Sequence, residues 1–193
     1  MKLVQPDKKH IQSILGKYRE QYFYETDGAL GLVFKNYPKN ENIHQILTKV
    51  VMINQLYGTN IFDPLTVAKH IYDLRAFLDN ELYKGTLSIV DKIEAVKFGH
   101  KIRYFYSFAT KYCSWHRPEQ YFIYDSFVDM LLWEYKKKYN FYNYKRSDVY
   151  DYGYEKFHNI CLNFKSFFGL NWITNKTLDE FLWLEAKRIS GKL

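Results

Sequence analysis

Apolar positions recur at three- and four-residue spacing along nearly the whole chain, and strictly alternating stretches are nearly absent, so the pattern predicts an all-α fold. Ile11, Ile14, Leu15 and Tyr18 mark a first helix from Pro6 to about Tyr24. Gly28, Gly31 and Pro38 then punctuate a stretch that reads as an extended loop with room for a short strand. Asn40 is placed to cap the next helix. Its stripe of Ile43, Ile46, Leu47, Val50, Val51, Ile53 and Leu56 is too broad for a surface helix, which makes this the central, buried one. Gly58 suits the left-handed position that would end it.

Asp63 and Pro64 together start a further helix, because aspartate caps and proline takes a position whose N–H would be unpaired anyway. Glu81 to Gly85 reads as a turn, and a helix from Thr86 or Ser88 carries Ile89, Val90, Ile93 and Val96 up to Gly99. From His100, the spacing of Ile102, Phe105, Phe108, Ala109 and Tyr112 predicts another helix that stops before Pro118. Asp125 is the expected cap of a long helix carrying Phe127, Val128, Leu131, Leu132 and Tyr135. Asp148 to Tyr154 reads as a loop, and Phe157, Ile160, Cys161, Phe164 and Phe168 form an amphipathic helix. Thr177 and Glu180 have capping-box spacing ahead of a last helix. The 193 residues fit one domain or two small lobes sharing a core. The pattern divides as an N-terminal helix and loop over 1–39 and a helical core over 40–193, read together as a single helical domain with a central buried helix.

Composition sharpens this picture. With 47% hydrophobic and 25% charged residues, a packed core is expected and global disorder is not. Nineteen tyrosines need partners for their hydroxyls, which places many of them at surfaces or clefts and is compatible with base stacking. A net charge of +7 favours polyanionic partners such as DNA, though a basic protein without a nucleic-acid partner carries such a charge equally well. Cys113 and Cys161 are far apart and form no CxxC pair, so buried free thiols are expected, with no metal and no cofactor. The first ten residues contain no apolar signal core, and no apolar run approaches the roughly 20 residues of a membrane span, which predicts a cytoplasmic protein without a membrane partner. Phosphate-loop, dinucleotide-binding, zinc-protease and serine-elbow motifs are lacking.

The stretch from Tyr104 to Val128 holds the candidate chemistry. Lys111 is offset from its helix's apolar stripe by about 100–200° and is expected to point sideways from the core, among Phe108, Tyr112 and Trp115. Ile123, Tyr124, Asp125, Ser126, Phe127 and Val128 follow. A lysine followed by this aspartate segment resembles the helix-hairpin-helix DNA glycosylase superfamily, in particular its 8-oxoguanine glycosylase branch, over about residues 40–190. Ser107, Phe108, Ala109 and Thr110 stand where that family carries a glycine-rich hairpin.

The resemblance implies a DNA glycosylase or abasic-site lyase with Lys111 as the nucleophile and Asp125 as the carboxylate that stabilises charge on the sugar. A surface lysine and a simple helix cap explain the same two residues without catalysis. Tyr112, Trp115, His116 and Tyr124 are candidates to hold an extruded base, and His116 serves equally as a hydrogen-bonded loop residue. Asn54, beside a buried face, either bonds a loop carbonyl or contacts a ligand. Lys136, Lys137, Lys138, Tyr142, Lys145 and Arg146 combine cations with aromatic rings and form a candidate nucleic-acid surface, or else a solvated helix end. The other function class open to this sequence is a non-catalytic module on the same helical scaffold that binds nucleic acid or protein.

Overall fold

The computed structural model describes Leu3–Asp151 and Gly153–Leu193. Among these residues there are ten α-helices and one two-stranded antiparallel sheet, so the fold is all-α. None of the described helices is long and apolar enough to cross a membrane. The chain forms two compact units, one over Glu25–Tyr121 and one from the residues through Tyr24 together with Phe122–Leu193.

The Glu25–Tyr121 unit holds the end of α1 (Lys8–Asn36), then α2 (Ile43–Tyr57), α3 (Pro64–Asp73), α4 (Arg75–Lys84), α5 (Ser88–Glu94), the hairpin β1 (Ala95–Phe98) and β2 (Lys101–Tyr104), and α6 (Tyr106–His116). Helix α2 is its centre and packs on α3 and α6, with Ile46, Val50 and Ile53 fully buried. Asn42, not Asn40, caps α2, accepting from the His44 and Gln45 amides. Gly58 closes that helix at φ 61°, and Asp63 caps α3 by accepting from the Thr66 amide, both where the local sequence placed them.

Three segments of this unit depart from the periodic reading. The expected loop at Asp27–Pro38 is helical as far as Asn36, because Leu30 and Phe34 fall one turn apart and are both buried. Burying those two side chains outweighs the roughly 1 kcal/mol that each helical glycine costs. Residues 81–84, expected as a turn, complete α4, and Gly85 ends it at φ 71°.

The helix expected to reach Gly99 stops at Glu94, and the one expected to begin near His100 starts at Tyr106. An antiparallel ribbon lies between them, pairing Val96 with Arg103 and Phe98 with Lys101. Gly99 has φ 60° and His100 has no positive φ, the pattern of a two-residue type II′ turn. The spacing of Val96, Ile102 and Phe105 mimics a helix, but the turn at Gly99 selects the hairpin.

The other unit holds the start of α1, then α7 (Ser126–Tyr139), α8 (Asp148–Asp151), α9 (Gly153–Phe167) and α10 (Asn175–Ile189). Helices α7 and α10 pack together, and α8 packs on α9. His10 on α1 meets Glu185 on α10 at 3.0 Å, and Arg19 meets Glu180 at 2.9 Å. Thr174, not Thr177, caps α10, with its Oγ1 accepting from the Thr177 amide at 3.0 Å. The expected loop at Asp148–Tyr154 is α8 followed by the start of α9, and Tyr152 in that stretch lies outside the described residues.

Candidate functional site

Lys111 lies in the second turn of α6, and its side chain is buried, with 1% of the residue exposed. The expectation that it points sideways out of the core is therefore corrected. Almost the whole of α6 is enclosed, from Phe108 through Ser114, so offset from the apolar stripe does not bring a side chain to solvent here. The Lys111 amine donates to Ser107 Oγ at 2.7 Å and lies 5.3 Å from the centre of the Tyr57 ring. Trp115 Nε1 donates to Tyr57 Oη at 3.1 Å, which joins α6 to α2 beside that amine. A lysine amine, a serine hydroxyl and an aromatic wall thus share one place in the Glu25–Tyr121 unit.

A second cationic centre in the same unit was missed in the sequence. Lys49 on α2 is fully buried. Its Nζ donates to Asn40 Oδ1 at 2.7 Å, to the Lys39 carbonyl at 2.9 Å and to the Tyr37 carbonyl at 3.2 Å. Asn40 is held in turn by Asp79, through its backbone amide at 3.1 Å and its side-chain amide at 2.6 Å. Tyr112 is fully buried and donates its hydroxyl to the same Asn40 oxygen at 2.5 Å. Burial draws the Lys49 amine down to about 7, against the pull of Asp79 that keeps it charged. The signal was present: Lys49 falls between Ile46 and Val50 on the buried face of α2.

His116 belongs to this second centre. Its Nε2 faces the Lys49 amine at 3.3 Å. Burial, with the cations of Lys49 and Arg117, holds the imidazole well below its usual range, so the ring is neutral. Accepting from Lys49 at Nε2 puts the ring proton on Nδ1. Tyr112 and His116 are thus joined to Lys49 and Asn40, and Trp115 to Tyr57; their polar atoms serve the packing of α6. Asn54 bonds the loop at Ile61 in both directions, at 2.9 Å each way, which is the structural one of its two readings.

The remaining candidates belong to the other unit. Asp125 caps α7, its Oδ1 accepting from the Phe127 amide at 2.8 Å. Tyr124 is buried, its ring edge-on to Phe157 and its hydroxyl bonded to that of Tyr150. In the basic segment, Lys137 pairs with Glu134, Lys138 donates to the Leu3 carbonyl and Arg146 clasps Asp129 at 2.9 Å. Lys136 lies over the Trp133 ring, and Tyr142 receives the Lys156 ammonium on its face. Lys145 is exposed. Phe141 and Tyr144, on either side of Tyr142, are buried in the core of this unit.

A family model described as HI_0787_N, N-terminal domain, matches residues 8–120. The chain belongs to this family. A protein of Haemophilus influenzae (strain ATCC 51907 / DSM 11121 / KW20 / Rd), described as an uncharacterized protein, is 39% identical over 150 residues, which cover 78% of this chain and 70% of the relative. No solved structure matches the chain. The matched region ends one residue before the Glu25–Tyr121 unit does, so it contains Lys111, Ser107, Tyr57 and the Lys49 centre. Asp125 and the basic end of α7 lie beyond it.

Proposed function

We propose that the protein acts on DNA as a glycosylase or abasic-site lyase, with the amine of Lys111 as its nucleophile. One observation carries the reading: the Lys111 amine is withdrawn from bulk water and held 2.7 Å from a neutral hydroxyl, that of Ser107. Lysine attacks only as the neutral amine. In the lyase step the amine adds to the C1′ aldehyde of an abasic site, water leaves and an imine forms. Elimination of the 3′ phosphate then cleaves the strand. The two free cysteines, both buried, fit a cytoplasmic location.

The test is borohydride trapping on duplexes carrying an abasic site or an oxidised guanine. A covalent adduct is expected with the unaltered protein and none with Lys111→Gln or Lys111→Met, both checked for fold by circular dichroism. Absence of an adduct from the unaltered protein, or an adduct that survives both substitutions, overturns the lyase reading. The near-complete enclosure of Lys111 favours a second reading, a non-catalytic nucleic-acid-binding or protein-interaction module on the same helices, which predicts DNA or protein binding without trapping.

A further inference from the structure

The β1–β2 hairpin stands out from the rest of the Glu25–Tyr121 unit in its surface. All four residues of β2 are exposed, including Ile102 at 57% and Tyr104 at 68%. Lys97 and the turn residues Gly99 and His100 are exposed as well. Residues 95–104 contain two lysines and one arginine and no carboxylate.

The register sorts these cations between the two faces of the ribbon. Lys97 pairs with Ile102, and Ala95 with Tyr104, so Lys97, Ile102 and Tyr104 share one face. Lys101 pairs with Phe98, and Arg103 with Val96, so Lys101 and Arg103 share the other. Val96 is buried on the face of Lys101 and Arg103, yet both of those residues are exposed, so positive charge stays open to solvent on both faces of the ribbon. It matches a groove with a phosphate backbone on either side. The major groove of B-form DNA, about 12 Å wide, admits such a ribbon. The major groove of A-form RNA is too deep and narrow to admit one.

The hairpin is also held firmly enough to present these charges. The Phe105 amide donates to the Glu94 carbonyl at 2.9 Å, closing its base where α5 hands over to α6. Val96 is fully buried and anchors β1, which packs against α3. The Arg103 guanidinium lies 5.4 Å from the centre of the Phe98 ring, which orients it along the ribbon.

We infer that the β1–β2 hairpin inserts into the major groove of duplex DNA, with Lys97 meeting one phosphate backbone and Lys101 and Arg103 the other. The inference rests on the DNA-directed reading above and supplies a gripping element for it. Ile102 and Tyr104 lie on the Lys97 face, where an aliphatic and an aromatic side chain meet base edges and sugars.

Binding of a fluorescently labelled, mixed-sequence DNA duplex, titrated at several salt concentrations, tests this. The triple variant K97A/K101A/R103A is expected to bind at least about tenfold more weakly. The slope of log affinity against log salt should fall by about 2–3, since each lost phosphate contact removes about 0.9. K97R/K101R/R103K should restore most of the affinity, which separates loss of charge from loss of the hairpin's fold. An RNA duplex of the same sequence and the single DNA strand should bind more weakly than the DNA duplex.

Wild-type affinity and slope in the triple variant overturn the hairpin inference while leaving the DNA-directed reading in place. Equal or tighter binding of RNA duplex or single strand overturns the major-groove assignment. Failure of the unaltered protein to bind any of the three overturns the DNA-directed reading and the inference with it.

Discussion

Lys49 donates a hydrogen bond to Asn40 Oδ1 at 2.7 Å, with both residues fully buried. The same oxygen accepts from Tyr112, and Asp79 fixes the Asn40 amide, so this one asparagine joins the loop after α1 to α2, α4 and α6. Replacing it removes the shortest of three bonds from a buried ammonium, and the acceptor of a buried tyrosine hydroxyl. Asn40→Ala is expected to destabilise the protein by about 2–3 kcal/mol, read as a lower urea midpoint at unchanged slope. A change below about 0.5 kcal/mol would show that the loop carbonyls alone satisfy Lys49.

The pH dependence of stability follows from the same lysine. Below about 7 the folded and unfolded states both carry the proton; above it the folded state releases the proton, while the unfolded state keeps it up to 10.5. The unfolded state then binds more protons, so stability rises with pH across this window, with a limiting slope of about 1.4 kcal/mol per pH unit. Lys49→Met should flatten that rise, and denaturant titrations at several pH values measure it. Glu94 acts with the opposite sign in the adjacent window. Burial raises its carboxyl from 4.5 to about 7, so its contribution is fully present below 4.5 and is lost as pH rises through about 7.

Asp125 has a cap role that can be separated from any catalytic one. Asp125→Ala removes the bond to the Phe127 amide and should cost about 1 kcal/mol. Asp125→Asn keeps an oxygen for the cap and should restore most of that stability. Trapped adduct that falls with Asp125→Asn, at unchanged stability, would assign the carboxylate to chemistry; equal adduct would leave it a cap.

Gly85 ends α4 at φ 71°, and a Cβ built on it would come 2.7 Å from Gln120 Oε1. That oxygen is the end of a flexible side chain and can swing aside, so backbone strain is the main effect. Gly85→Ala should lower stability by about 1–2 kcal/mol, measured by thermal unfolding. Truncating Gln120 to Ala in the same protein should recover little of it.

Both thiols should be silent in the native state. Cys113 and Cys161 are 0% and 1% exposed, and burial pushes both well above the ordinary thiol range, so thiolate is scarce as well as enclosed. A chromogenic disulfide reagent should label neither until the surrounding helices open, and both promptly in denaturant. Fast labelling without denaturant would show that α6 or α9 opens locally.

Where partners lie within a few residues of one another, the sequence was enough. Asp63 with Pro64, Gly58 and Asp125 were legible as helix boundaries, because a cap bonds an amide two or three positions away. The all-α class was legible for the same reason, since helix periodicity is a local property. Capping failed where two candidates competed. Asn42 took the α2 cap and freed Asn40 for Lys49, and Thr174 took the α10 cap from Thr177.

Long-range packing decided the rest. Leu30 and Phe34 carry α1 through two glycines because both side chains find a core. The turn at Gly99 converts an apparently helical spacing into a ribbon with cations on both faces. Lys111, offset from its helix's apolar stripe, is enclosed because neighbouring elements cover nearly every side of α6, and Lys49 becomes the polar centre of the Glu25–Tyr121 unit. The sequence by itself determined the all-α class and several of the helix boundaries. Only the tertiary structure decided which charged side chains lost their water, because desolvation depends on what packs from outside the helix and not on the helix's own period.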